Sequence, residues 1–341
     1  MSQVTNTVAV LMGGQSTEHD VSLKSGANVL RALEGSPYSP VGVVIDRGGL
    51  WHWGDETRPL RLLEALARLE DEGVCCVFIA LHGPFGEDGR IQALLDCLGI
   101  PYTGSGYAAS ALAMDKIRCK AVVQSQGIRV AAHLALDRRT WQYDGEPVLR
   151  AIQEDVGLPC VIKPSRQGSS FGISVIRDYR ELAAALDAAL ALDEEVYAEE
   201  YIEGREVTCG VLDVDPEGRL RALEVTEIRP KTAAFFDFEA KYTPGASEEI
   251  TPAPLDTDTT NEVKQMAVDV HEIVGCSGWS RSDFIIGEEG PVWLEVNTVP
   301  GLTETSLYPQ AARAAGIPFN QLVLMFIEHA LRRHAQERQR G

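Results

Sequence analysis

Long apolar stretches are missing from this chain of 341 residues. The longest uninterrupted run, Val74 to Leu81, is far short of the roughly 20 residues that span a bilayer. The first residues also lack the basic-then-apolar order of a signal peptide, so a soluble, cytoplasmic protein with no membrane partner is expected. Positive charge is scarce. Fifty acidic against 31 basic side chains leave a net charge of -19, which repels nucleic acid and anionic lipid over most of the surface. No nucleic-acid partner is expected, and an anionic ligand would need a local basic pocket. Cysteine is present in an odd number, seven, scattered through apolar segments with only Cys75-Cys76 adjacent. That pattern fits neither a disulfide framework nor a CxxC metal site, and buried reduced thiols are the simpler reading. Internal repeats and low-complexity linkers are absent as well.

What is there is enough apolar material, 45% of the residues, for more than one core, so two or three domains are expected. Val8 to Leu11 reads as a strand that runs into Gly13-Gly14, followed by a helix from Ser22 to Leu33. The loop between them is not GxGxxG, which argues against a dinucleotide fold. A second strand, Val74 to Leu81, ends at His82-Gly83. Ligands of α/β sheets bind at the carboxyl ends of strands, so the loops at Gly13 to Glu18 and His82 to Gly89 are candidate site walls. Pro101-Tyr-Thr-Gly-Ser-Gly marks a turn and a domain boundary before a helical stretch that extends to Gly127.

From Cys160 the order becomes strand (to Lys163), glycine-rich loop (Gly168-Ser-Ser-Phe-Gly172), strand (Ile173 to Ile176), helix (Tyr179 to Leu192) and strand (Glu195 to Glu199). A loop between two strands is not the Walker A arrangement. Further strands are expected around Val207 and Leu223, with a loop from Arg229 to Glu248. A last helix from Asn320 puts Leu322, Val323, Phe326 and Ala330 on one face and ends in a charged, frayed tail.

The segment Arg281-Ser-Asp-Phe-Ile-Ile-Gly-Glu-Glu-Gly-Pro-Val-Trp-Leu-Glu295-Val-Asn297 carries the most chemistry. Two apolar runs flank Gly287 to Gly290, the pattern of a hairpin. With a turn centred near residue 289, Asp283 faces Glu295 and Arg281 faces Asn297, and alternation puts all four side chains on one face. Two carboxylates and an amide oxygen make a hard-oxygen site suited to Mg²⁺ carrying nucleotide phosphates. A solvated polar face with an ion pair is the competing reading. Lys163, closing an apolar strand beside the glycine-serine loop, suits a phosphate clamp, although an ordinary flexible loop beside a solvated lysine has the same pattern. Glu199-Glu200-Tyr201-Ile202 ends another strand and could offer groups to an adenine edge and a ribose.

Six motifs in order give these residues a family. Gly13-Gly-Gln-Ser-Thr-Glu-His-Asp-Val-Ser22, His82-Gly-Pro-Phe-Gly-Glu-Asp-Gly89 and Met114-Asp-Lys116 come first. Lys163-Pro-Ser-Arg-Gln-Gly-Ser-Ser-Phe-Gly172, Glu239-Ala-Lys-Tyr242 and Glu295-Val-Asn-Thr-Val-Pro-Gly301 follow. Over nearly its whole length the chain resembles the D-alanine-D-alanine ligases. The resemblance implies an α/β, three-domain ATP-grasp fold: an N-terminal Rossmann-like substrate domain (1–104), a central ATP-grasp subdomain (105–199) and a C-terminal one (200–341), with ATP held between the last two. It implies a homodimer, and as cofactors ATP and Mg²⁺, two ions, with Mn²⁺ as a substitute.

Carried over by position, the resemblance makes Lys116 and Lys163 phosphate ligands, covered by the loop with Ser170. Glu199, Glu200, Tyr201, Ile202 and Glu206 fall where adenine and ribose are held, and Asp283, Glu295 and Asn297 match metal ligands. Lys241 reaches the γ-phosphate from a mobile loop. Glu18 receives the first D-alanine's ammonium, with His82 nearby and Ser169 and Tyr242 as partners. Arg281 and the Gly301 amide match the oxyanion donors, and Ser306 and Leu307 the second substrate's carboxylate pocket. The reaction implied joins two D-alanines through a D-alanyl phosphate for peptidoglycan precursors, with the 229–248 loop closing to exclude water.

Three departures stand out: Phe235-Phe-Asp-Phe238 where tyrosines are common, Phe171 where valine is usual, and Glu200 where lysine is common. A D-alanyl-D-lactate or other dipeptide ligase is the competing enzyme reading, against which Tyr242 speaks. A non-catalytic ATP-binding regulator is the other, and the intact Asp283, Glu295, Asn297, Lys163 and Arg281 argue against it.

Overall fold

A computed structural model describes residues 6–168, 172–230 and 247–340. Three sheets organise them. In the first, β1 (Thr7–Gly13) lies between β2 (Ser39–Ile45) and β4 (Cys76–Ile79), parallel to both, with β3 (Trp51–Trp53) antiparallel on the outer edge of β2. Val8, Val10 and Met12 pack to one side of β1 and Ala9 and Leu11 to the other. Burial on both faces explains why this strand reads as a continuous apolar run rather than an alternating one. At its end Gly13 has φ +87°, and a Cβ there would stand 2.3 Å from the Ile45 carbonyl oxygen. Glycine is therefore required for the turn that delivers the chain to helix α1 (His19–Ala32). Helices α2 (Leu62–Asp71) and α3 (Arg90–Leu98) cover the Leu11 side.

The expected helical stretch before Gly127 is two helices, α4 (Tyr107–Met114) and α5 (Lys116–Ser125). They break at Asp115, whose carboxylate accepts the Arg118 N–H and so caps α5. The second sheet is antiparallel in the order β5 (His133–Asp137), β8 (Glu195–Glu200), β6 (Cys160–Pro164), β7 (Ser174–Ile176). Helices α6 (Arg138–Asp155) and α7 (Leu182–Leu190) back it. The period of two sends Cys160, Ile162, Val196 and Ala198 into this core and leaves Lys163, Tyr197 and Glu199 on the opposite face.

The third sheet runs β12 (Ser247–Ile250), β11 (Thr226–Pro230), β9 (Arg205–Asp213), β13 (Gly278–Gly287), β14 (Gly290–Asn297), with β10 (Arg221–Ala222) paired to β9. Helix α8 (Thr257–Val274) packs on it together with α4 and α5. The expected loop from Arg229 to Glu248 is narrower than its sequence suggests. Arg229 pairs with Glu248 and Pro230 with Ser247, extending the β11–β12 ladder up to the edge of the described residues.

Helices α9 (Leu307–Ala314) and α10 (Phe319–Arg340) return to the first sheet. Leu322, Val323, Phe326 and Ala330 share one buried face as the spacing requires, and the charged end continues as helix rather than fraying. Trp279 of β13, fully buried, stacks on Phe326 with ring centroids 3.7 Å apart and on Phe78 of β4 at 6.0 Å, joining the first and third sheets in one core. No single helix among the described residues is long and apolar enough to cross a membrane. The described cysteines carry free thiols, five of them buried as expected, whereas Cys75 is half-buried and Cys97 is exposed.

Truncating the α10 ring stacked on Trp279 leaves a cavity against this joint. Phe326→Ala should lower the unfolding free energy by about 3–5 kcal/mol, read from urea unfolding followed by tryptophan fluorescence. A loss under about 1 kcal/mol would mean that the two sheets do not depend on this contact.

Candidate active site

Between the second and third sheets lies a cleft walled on one side by Val161, Lys163, Tyr197, Glu199, Glu200, Tyr201 and Ile202. Lys116, Glu206, Asp283, Ile285, Leu294 and Glu295 wall the other. Nine residues expected to hold nucleotide or metal thus face one space. Lys116, at the start of α5, donates from Nζ to the Gln167 carbonyl (2.8 Å) and lies 3.4 Å from Glu295 Oε2. It thereby ties the base of the glycine-rich loop to the acidic hairpin. Glu199 is buried, and its carboxylate is shared: Oε2 with Lys163 (2.5 Å) and Oε1 with Lys120 (2.5 Å). Burial pushes the Glu199 carboxyl up, but the two ammonium groups outweigh it and hold its pKa down at about 2. Burial likewise works against the Lys163 charge, and Glu199 with Glu295 and Glu206 more than restores it.

On the hairpin, Arg281 pairs with Asn297 and Asp283 with Glu295, as the sequence predicts, but by a different route. The turn pairs Gly287 with Gly290, half a residue off the expected centre, and the ladder stays in that register to Phe284–Trp293. A bulge at Leu294 then adds one residue and restores the Asp283–Glu295 pairing, so Leu294 and Glu295 both line the cleft.

Asp283, 5% exposed, accepts two hydrogen bonds from Arg281 (Nε to Oδ1, 2.9 Å; Nη2 to Oδ2, 2.8 Å) and one from Thr208 (2.6 Å). Asn297 Nδ2 is 3.4 Å from its Oδ2, and rotation of the amide would present oxygen instead. Two carboxylates and an amide on one face suit an oxygen-seeking divalent cation. Among the described residues no cluster of three His, Cys, Asp or Glu forms a complete cage, so such a cation would need ligand oxygens from a bound phosphate.

At the other end of the site, Glu18 precedes α1 and is 7% exposed. Gly83 and Gly168 approach so closely that a Cβ on either would lie 2.5 or 2.6 Å from Glu18 Oε2. The His82 loop and the glycine-rich loop therefore meet at this carboxylate. His82 Nε2 is 2.8 Å from Ser25 Oγ, and its Nδ1 is 3.8 Å from Glu87 Oε1. Burial opposes protonation of His82, but the Glu87 carboxylate, with the charge of Glu18 behind it, holds its pKa above the ordinary imidazole value.

Ser25 also accepts from the Leu302 N–H (3.3 Å), and Asn28 donates to the Leu302 carbonyl (2.8 Å), so α1 holds the chain just beyond Gly301. Ser306 immediately precedes α9 at its N-cap position, and its Oγ accepts from the Thr303 N–H (3.0 Å). A Cβ on Gly301 would stand 2.8 Å from that oxygen. Leu307 follows as the first residue of the helix.

Ser169, Ser170, Lys241 and Tyr242 lie outside the described residues, as do Phe171, Phe235, Phe236 and Phe238. Sequence reasoning missed Lys120, Ser25 and Glu87. Lys120 stands one helical turn after Lys116, a spacing that puts both on one face and could have drawn attention to it. Glu87 falls inside the His82 to Gly89 motif without a role of its own.

The His82–Glu87 pair makes a pH prediction. Because the folded pKa is raised, the pair's contribution to stability is fully present below about pH 6.5 and is lost as pH rises through the folded value. With Glu87→Gln, burial acts unopposed by the nearer charge, and the His82 ring should titrate at or below about 6.5, measured by NMR of the ring protons. An unchanged midpoint would assign the shift to some other group.

Comparison with known proteins gives the chain a family. Family models described as "D-ala D-ala ligase N-terminus" and "D-ala D-ala ligase C-terminus" match residues 7–105 and 122–328. A D-alanine–D-alanine ligase of Geotalea uraniireducens is 44% identical, with 94% of each chain covered. One of Halalkalibacterium halodurans is 40% identical over 96% of this chain and 99% of its own. Among solved structures, the VanG D-Ala:D-Ser ligase of Enterococcus faecalis superposes with TM-score 0.81 at 32% identity, covering 96% of this chain and all of that one. The Bacillus anthracis D-alanine–D-alanine ligase complexed with ATP does so with TM-score 0.78 at 29% identity, over 97% and 99%. The α/β architecture is the ATP-grasp fold of these neighbours. With both family models matched in order across most of the chain, the protein belongs to the D-alanine–D-alanine ligase family.

Proposed function

We infer that this chain joins two D-alanine molecules into D-alanyl-D-alanine, converting ATP to ADP and phosphate, in the synthesis of peptidoglycan precursors. The observation that carries the reading is that one cleft sets Lys163 on one wall opposite the Asp283–Glu295 face on the other, with Lys116 beside Glu295, while Gly168 of the adjoining glycine-rich loop closes on Glu18. A carboxylate is a poor electrophile and must be activated before an amine can attack it. Lys116 and Lys163 hold the polyphosphate, while Glu18 receives the first D-alanine's ammonium and turns its carboxylate toward the γ-phosphorus. Oxygen–phosphorus bond formation there expels ADP and leaves D-alanyl phosphate.

The second D-alanine, its carboxylate received at Ser306 and Leu307, attacks the acyl carbon through its amine. Arg281 and the Gly301 N–H stabilise the oxyanion, phosphate leaves, and the amine gives up its proton. Magnesium bound at Asp283, Glu295 and Asn297, in one or two ions, would supply charge neutralisation for the phosphate oxygens. Glu200, Tyr201, Ile202 and Glu206 serve adenine and ribose in this reading. The domains divide at 1–104, 105–199 and 200–341, and the enzyme works as a homodimer in the cytoplasm, where its co-substrate ATP is held.

ADP release screened against D-alanine, D-lactate, D-serine and L-alanine tests the assignment, with product identified by mass. D-Alanine alone should suffice. Silence with every acceptor would point to a regulator, and a mixed D-alanyl-D-serine product to a different second-substrate class. Glu295→Gln should lose most turnover in a folded protein and recover only partly in excess Mg²⁺. Near-normal turnover at low Mg²⁺ would make the hairpin face a solvated sheet surface. Glu18→Gln should raise the first-site D-alanine KM by about tenfold or more while the ATP KM stays within about twofold. Equal losses in both would remove Glu18 from the amino-acid site.

A further inference from the structure

Lys120 has no part in the chemistry outlined above, yet its side chain is wholly buried and its ammonium lies 2.5 Å from Glu199 and 5.4 Å from the centre of the Trp293 ring. Burying an ammonium is strongly unfavourable, and an ion pair in the interior is weak evidence of stabilisation, because apolar replacements commonly do as well. The position of the pair suggests what it does. Lys120 stands behind the cleft wall and does not line it, whereas Lys163, on the other oxygen of the same carboxylate, does.

The charges of that wall make the arrangement necessary for an anionic ligand. Among the described residues, Glu199, Glu200, Glu206, Asp283 and Glu295 face the cleft together with two lysines, Lys116 and Lys163. Lys116 lies near Glu295, and Lys163 is matched to Glu199. On those two pairs alone, the lysine end of the cleft would offer a polyphosphate no surplus positive charge. A second cation on Glu199 changes the count: burial works against the Lys120 charge and Glu199 favours it, and with both ammonium groups protonated the trio carries a net charge of +1, presented to the cleft through Lys163.

We propose that Lys120 is a positioning residue for the nucleotide's phosphates: it takes up the charge of Glu199 from behind the wall and leaves Lys163 electrostatically available in front. The proposal rests on the ATP reading of the cleft. It places part of the nucleotide affinity in a residue that never touches nucleotide, and it makes that part depend on the Glu199 charge.

The test is equilibrium binding of ADP with Mg²⁺, and of adenosine, to the full chain and to Lys120→Met, Glu199→Gln and the double variant. Calorimetry serves for ADP and ligand-detected NMR for adenosine. Lys120→Met should weaken ADP by about tenfold or more and leave adenosine within about twofold, since only the phosphates meet the lost charge. In the Glu199→Gln background the same substitution should change ADP affinity by less than about threefold, because no carboxylate remains to be neutralised. That background also keeps the comparison available should the single variant fail to fold. Equal weakening of ADP and adenosine, or an undiminished effect in the Glu199→Gln background, would make Lys120 a packing element and overturn the proposal. Absence of ADP binding to the unmodified chain would instead remove the ATP reading on which it stands.

Discussion

The stacking of Trp279 between Phe78 and Phe326 fixes where the two halves of the site stand. Trp279 lies on β13 two residues before Arg281 and four before Asp283. Phe78 lies on β4 four residues before His82. One aromatic contact thus sets the distance between the strand that carries Arg281 and Asp283 and the loop beside Glu18. Ser25 and Asn28 repeat the constraint from α1 by holding both ends of the Leu302 peptide unit. A condensation between two amino acids needs the activated carbonyl and its oxyanion donors aligned to fractions of an ångström. Such alignment across separate sheets is obtained by packing rigid elements rather than by loops.

Electrostatics place a second demand on the fold. A chain of net charge -19 sets Lys116 and Lys163 into an otherwise acidic cleft, each beside a carboxylate. Arg281 meanwhile covers Asp283 with two hydrogen bonds. The hairpin face is therefore not left as a bare cluster of carboxylates. Within the site, the lysines beside Glu199 hold its carboxyl below the ordinary range and Glu87 holds the His82 ring above its own, whereas burial disfavours the charge of Lys120 and of Glu87.

Much of this was legible because ligand-bearing residues fall where periodicity is strict. Strands β6, β8 and β13 and helix α10 follow from period two or 3.6, β1 from its continuous apolar run, and the hairpin pairing of Asp283 with Glu295 from the glycines of its turn. That pairing came out correctly only because the assumed turn centre and the unforeseen bulge at Leu294 compensate. A bulge leaves no mark in a pattern of apolar residues. Helix α6 was illegible for the opposite reason: Trp141-Gln-Tyr-Asp-Gly-Glu-Pro147 reads as turn chemistry, and the helix is indeed broken at Asp144. Lys120 escaped because a lysine is ordinarily read as surface. Only tertiary structure shows it enclosed between a helix and a strand end. The edges of the Arg229 to Glu248 segment were misjudged because charged residues on an edge strand look like loop.

The second sheet and its two helices keep a core to themselves: Leu136, Ile152, Ile162, Leu186 and Ala198 form a cluster that includes no side chain of the other two sheets. The first and third sheets, by contrast, share theirs through Trp279. The wall bearing Lys163, Glu199 and Tyr201 can consequently accumulate substitutions without disturbing the packing that aligns Glu18 with Arg281. Recognition of the phosphate donor and recognition of the amino acids are, in this architecture, separately evolvable traits.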